Sequence, residues 1–135
     1  MLEKRIWEKN SPAYENDLVE LMREAPCDLP ASYIELLKYG NGGQGPLSND
    51  PYYFILYSVD EVLRIFREKT FEKFFAGLFV IGGSGGGDAV AIDFRSTNSR
   101  HIVCFDLINT DLEESVVFVA KDFESFLPMI GLEAE

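Results

Sequence analysis

A single histidine, two cysteines and one block of glycines are the residues of this chain whose types could carry chemistry. His101 would have to serve any Ser–His–acid triad, with Ser84 or Ser96 as the nucleophile. No nucleophile-elbow pattern is read around either serine, so either could serve only by accident of folding. His101 reads instead as a surface or edge-strand histidine, and pairing it with Cys27 or Cys104 does no better. Zinc would need more Cys and His at ligand spacing. The acids between 106 and 114 follow no calcium-loop pattern. The sequence therefore predicts no metal, no cofactor and no catalytic set.

Gly82–Gly87, GGSGGG, invites a phosphate. That chemistry needs a helix N-terminus after the loop, and a strand pattern follows. No Gly-Lys-Ser/Thr closes the motif, and the position three after Gly85 is Asp88, which breaks G-x-G-x-x-G. The block reads as a tight turn that Cβ groups would obstruct, with a small-anion nest as the functional alternative. Asp88 and Asp93 are five apart, so a regular strand sends them to opposite faces, poor geometry for one metal or one acid–base pair. Asp88 is expected to bond the loop amides, and Asp93 to face solvent or a lysine.

The elements that must position these groups follow from periodicity. Residues 1–13 read as a charged lead-in to a single domain spanning 1–135, with Leu2, Ile6 and Trp7 able to pack back onto it. Leu18, Leu21 and Met22 share a face of a helix over 14–24. A second helix starts near Pro30, with Asp28 or a neighbour as its cap, and buries Tyr33, Leu36 and Leu37. Gly40 is expected to stop it in the left-handed conformation, followed by Asn41, Gly42 and Gly43. Gln44–Pro51 reads as a loop and Tyr52–Tyr57 as a strand. Ser58 with Glu61 forms a capping box for a helix burying Val62, Leu63 and Phe66. Phe71, Phe74 and Phe75 make a short amphipathic piece. Strands are expected at 78–81, 89–94, 101–105 and 116–119, with an acidic loop over 106–115. Asp122 caps a last helix that sends Phe123, Phe126 and Leu127 inward. Short strand-to-strand turns predict an α+β fold, with a largely antiparallel central sheet and flanking helices.

The chain has 135 residues, 47% of them hydrophobic, enough for a core without staples. Its 23 acidic and 12 basic residues leave a net charge of −11. Nucleic-acid binding and anionic membranes both call for the opposite sign. A basic protein partner suits it. Exposed tyrosines beside carboxylates are interface material. Tyr53 and Tyr57 share a strand face opposite Tyr52, and the acids that could flank them are Asp50, Asp106, Asp111, Glu113 and Glu114. The partner-binding set is thus Tyr53, Asp106, Asp111, Glu113 and Glu114. Buried free thiols at Cys27 and Cys104, with no secretory or spanning segment, predict a cytoplasmic protein. An exposed edge strand could support a homodimer.

Three motifs in order carry a resemblance. Leu29, Pro30, Tyr33, Leu36, Leu37, Gly40, Asn41, Gly42 and Gly43 form the first. Phe79–Gly82, Gly87, Asp88, Ala89, Ile92 and Asp93 form the second. Ala120, Asp122, Phe123, Phe126 and Leu127 form the third, with Asp122 where a serine cap is usual. Together the chain resembles the SUKH superfamily, which includes a domain of the fungal cell-wall assembly regulator and many bacterial immunity proteins. The resemblance implies an α+β domain without catalysis. In bacteria it implies a cytoplasmic immunity protein of the toxin–antitoxin kind that blocks a cognate toxin domain, often a nuclease. A non-catalytic adaptor of the same fold and a small-ligand binder using the glycine loop are the alternatives.

Overall fold

The computed structural model describes residues 1–71, 75–109 and 111–135, with the side chains of Leu112 and Glu113 outside that set. Phe74, expected on the amphipathic piece, lies outside the described residues. Among the described residues the fold is α+β, with seven antiparallel strands in sequence order: β1 Glu8–Lys9, β2 Gly43–Pro46, β3 Tyr53–Leu56, β4 Leu78–Gly83, β5 Asp88–Asp93, β6 His101–Asp106 and β7 Val116–Ala120. Helices α1 (Glu15–Glu24) and α2 (Ala31–Tyr39) fall between β1 and β2, and α3 (Val59–Arg67) between β3 and β4. Short helices α4 (Leu112–Ser115) and α5 (Phe123–Phe126) flank β7.

Period-two alternation divides the side chains of the sheet between two apolar clusters. On the inner face Phe54, Leu56, Phe79, Ile81, Val90, Ile92, Ile102 and Cys104 meet Leu18 and Leu21 of α1, Tyr33, Leu36 and Leu37 of α2, Val62 and Leu63 of α3, and Phe123 and Phe126 of α5. On the outer face Leu78, Val80, Ala89, Ala91, Val103 and Phe105 pack with Phe75. Each large side chain buried this way is worth about 1.5–3 kcal/mol of transfer free energy. Both faces of β5 are therefore covered, and its ends are the places where it meets solvent.

Several local expectations need correction. Met22 is exposed and does not join Leu18 and Leu21. No side chain caps α2; its N-cap is Pro30, so Asp28 plays no such part. Gly40 is extended at φ −160°, and Gly42 takes the left-handed turn at φ +99°. A Cβ on Gly40 would lie 2.8 Å from Lys9 Cβ, so close approach of β1 is what keeps it bare. Tyr52, at φ +68°, stands outside β3. Phe66 is exposed at the rim of α3, though its ring meets Phe79 edge-on at 5.6 Å.

Part of the stretch read as a loop, Gln44–Pro51, is strand. β2 runs over Gly43–Pro46 and pairs with both β1 and β3. The segment before it is equally fixed: Leu2 is buried, Trp7 stacks 6.0 Å from Phe54, and Arg5 donates to the carbonyls of Leu127 and Ile130 at 2.9 Å. The two predicted caps hold. Ser58 Oγ accepts from the Glu61 amide at 3.3 Å, and Asp122 Oδ1 from the Ser125 amide at 2.8 Å.

Candidate functional site

Antiparallel order brings the start of β3, the end of β4, the start of β5, the end of β6 and the start of β7 to one end of the sheet. The register fixes this: Ile55 lies opposite Gly83, Ala89 opposite Gly83 in turn, Asp88 opposite Asp106, and Phe105 opposite Val116. The connections gathered there, residues 47–53, 84–88 and 106–115, carry Asp50, Asp88, Asp106, Asp111, Glu113 and Glu114 and no Lys, Arg or His.

Three of these carboxylates feel one another. Burial raises the Asp88 carboxyl above its ordinary value, and the charges of Asp106 and then Asp50 push it further, against a lowering bond from Ser84. The same end raises the Cys104 thiol to about 11, by burial first and then by Asp88 and Asp50. The site is therefore electronegative and carries no positive side chain of its own on those connections.

Two buried serines hold its turns. Ser84 Oγ accepts from the amides of Gly86 at 3.1 Å and Asp88 at 3.3 Å, and donates to Asp88 Oδ2 at 3.5 Å. Ser84, rather than Asp88, thus bonds the loop amides. Ser115 Oγ accepts from the Asp106 amide at 3.0 Å and donates back to the Asp106 carbonyl at 3.3 Å. The Leu107 amide reaches the Gly87 carbonyl at 3.0 Å, which ties the two turns together. Asp106 Oδ1 accepts from Ile108 at 2.8 Å, and Asp111 Oδ1 from Glu114 at 3.3 Å. These bonds hold Leu107 and Ile108 out in water; Ile108 is 87% exposed.

The expected partner-binding residues divide. Asp106, Asp111 and Glu114 stand together, exposed, on the connection from β6 to β7, part of which is helix α4 rather than loop. The Glu113 side chain lies outside the described residues. Tyr53 is at the same end but three strands away, about 14 Å by strand spacing, and donates to Gln44 Oε1 at 2.8 Å. Sequence reasoning missed the convergence of Asp50 and Asp88 with Asp106. It also missed the two serines and the exposed Leu107–Ile108 pair, whose signal is an apolar dipeptide inside an acidic run.

The groups considered for catalysis do not assemble. Contrary to the sequence reading, Ser84 does sit among glycines spaced as in a nucleophile elbow, but strand β5 follows it and its hydroxyl is engaged in its own turn. His101 stands at the opposite end of the sheet, facing Asp93 across the ladder, with its ring edge-on to Phe118 at 5.2 Å. Ser96 Oγ accepts from the Asn98 amide. Burial pushes the Cys27 thiol up despite the lowering pull of Arg100. Both cysteines are free, Cys104 buried and Cys27 half-buried. Among the described residues no group of three or more His, Cys, Asp or Glu is placed to hold a metal ion, and no helix is long and apolar enough to cross a membrane.

The glycine loop is a turn whose requirement is conformational. Gly85 and Gly87 have φ of +77° and +100°, while a Cβ on Gly87 would meet nothing within 4 Å. Obstruction of a Cβ does select glycine at Gly82, where it would run into the Ile55 carbonyl oxygen, but it plays no part at Gly87. Two grooves, of about 470 and 360 Å³, lie elsewhere, the first against Phe66, Phe79 and Phe94 and the second against Gln44, Tyr57 and Glu61. Gly85–Gly87 line neither.

None of the curated proteins compared with the chain matches it. The model of the SMI1 / KNR4 family (SUKH-1) matches residues 12–129, nearly the whole sheet and all the helices that cover it, and the chain accordingly belongs to that family.

Proposed function

We propose that the protein is an immunity-type binding module that neutralises a cognate toxin domain by occupying its surface through the acidic end of the sheet. Membership of the SUKH-1 family supports an immunity or regulatory role. The observation that carries the finer reading is the convergence of Asp50, Asp88 and Asp106 beside the exposed Tyr52, Leu107 and Ile108. A fold that leaves like charges together, with exposed apolar side chains on the same connections, gains from a partner that brings the missing positive charge. The partner is therefore a basic protein domain, and a nuclease has such a surface because it must hold phosphates. Inhibition comes from steric block and charge complementarity, with no bond made or broken. The protein works in the cytoplasm, where its two thiols stay reduced.

The test is affinity capture from the cells that make the protein, at about 50 mM and about 300 mM salt, which changes screening between exposed charges severalfold. The captured partner is then assayed with and without the protein. Neutralisation of a basic toxin domain, weakened by salt, is the expected result. A basic partner without toxic activity would move the same surface to a regulatory scaffold. Capture that yields no salt-sensitive basic partner contradicts the reading.

A further inference from the structure

The two edges of the sheet are finished differently. β1 closes one side with two residues, Glu8 and Lys9, both charged and both exposed. Shortness and charge are the usual ways of keeping an edge from pairing with a foreign strand. β7 closes the other side with Val116–Ala120, five residues of sequence VVFVA without a charge or a proline. It has a strand, β6, on one side only. Its register shift falls beside Ile102 and Val103, toward its C-terminal end, and leaves Val116, Val117 and Phe118 in regular pairing with Phe105, Cys104 and Val103.

Two of the three side chains of that regular stretch are also largely uncovered, Val116 packing on the outer-face cluster. Val117 lies opposite Cys104 and so on the inner face; Phe118 lies opposite Val103 and so on the outer face. They are 45% and 57% exposed, and the edge is therefore apolar on both sides of the sheet. An apolar row of outward backbone N–H and C=O groups is completed by another strand and by little else.

The charges at the ends of β7 select which strand. Exposed Glu114 precedes it, and exposed Lys121, followed by Asp122, comes after it. Two copies of β7 laid antiparallel bring Glu114 of each toward the end of the other that carries Lys121, whereas a parallel pairing sets Glu114 against Glu114. Self-complementarity about a two-fold axis is what an isologous dimer requires.

We propose that β7 is a dimerisation edge: two copies of the chain pair β7 to β7 antiparallel, near Phe118, into one continuous sheet. Val117 and Phe118 of each copy are covered by the other. Asp88 and Tyr53 lie two and four strands in from this edge and stay accessible. The inference does not depend on the identity of the partner at the acidic end.

Sedimentation equilibrium of the full chain, from about 1 to 200 µM, tests it over a range where micromolar association is resolved. The expected result is a reversible shift from the 15.3 kDa monomer to twice that mass. Phe118→Glu should weaken association at least about tenfold, since it places a charge in the paired edge. Because Phe118 is exposed, the variant is expected to keep the wild-type unfolding midpoint, which is measured alongside. Glu114→Lys and Lys121→Glu should each weaken the dimer about threefold, and the double exchange should restore it to within about twofold, as paired charges do. A monomer across the whole range overturns the proposal. So does a dimer indifferent to Phe118→Glu, or one that the double exchange fails to rescue after both single changes weaken it.

Discussion

Asp88 and Asp93 begin and end the same six-residue strand, about 17 Å apart, and the fold treats them in opposite ways. At Asp93 burial works against the carboxylate, yet Arg95 outweighs it. The guanidinium donates to Oδ1 at 2.9 Å and to Oδ2 at 2.7 Å, the Arg95 amide adds a bond at 3.0 Å, and the carboxyl titrates below its ordinary value. At Asp88 burial is joined by two further carboxylates and no cation, and the carboxyl titrates above its ordinary value. One end of the sheet is closed electrostatically within the chain. The other is left open. A group that the chain has neutralised itself contributes to its own stability; a group it has left beside like charges is available to something else.

Three experiments break or sharpen that contrast. The largest effect is on binding. Reversing Asp50 and Asp106 together to lysine should weaken the complex with a basic partner about 100-fold or more, the scale of losing close interfacial charge pairs. Reversing Asp28 and Glu124, exposed acids toward the opposite end of the sheet, should change the affinity less than about threefold. Calorimetric titration of both double variants checks this, and equal losses would erase the distinction between the ends.

The second effect is on stability at the closed end. Asp93→Ala should cost about 1–2 kcal/mol at pH 7, since it removes charge-assisted bonds from a side chain that is 13% exposed. The folded carboxyl titrates below the unfolded one, so its contribution is present above the unfolded value of about 3.8 and fades as pH falls through the folded value. Urea midpoints should therefore differ at pH 7 and draw together as pH falls below about 3.8 and through the folded value.

The smallest effect has the opposite sign. Asp88→Asn should stabilise the protein at neutral pH by less than about 1 kcal/mol, as expected for a partly solvated like-charge contact. Here the folded carboxyl titrates above the unfolded one, so the native state binds more protons between the two values and loses stability as pH rises through them. The gain on removing the charge should vanish below about pH 4. The same urea experiment checks it, and a loss of stability at pH 7 would show that Asp88 is a structural group like Asp93.

Much of the fold was legible because it rests on local rules. Helix periodicity found the inward faces of α1 to α3 apart from Met22 and Phe66, and the Ser58 and Asp122 caps needed only their neighbours three residues on. The strand β2 was not legible. Gly-Gln-Gly-Pro has none of the composition of a strand, and it pairs because the bare glycines admit the preceding segment: a Cβ on Gly43 would lie 2.6 Å from the Glu8 carbonyl and 2.8 Å from the Trp7 ring. That is a tertiary fact. The same holds for the site. The acids of 106–114 could be read as a group along the chain, but their meeting with Asp50 and Asp88 depends on the register of β3 to β6, which sequence alone does not fix. Ser84 and Ser115 were invisible for a related reason. A serine that satisfies buried amides has the same letter as one exposed on a loop.

The central claim is that the open, acidic end is the binding surface. Amide hydrogen exchange on the captured complex, compared with the free protein, tests it most directly. The account predicts new protection over residues 47–53, 84–88 and 106–115, with the turn from Asp93 to His101 exchanging as before. Protection confined to that turn, with the acidic end unchanged, would contradict it.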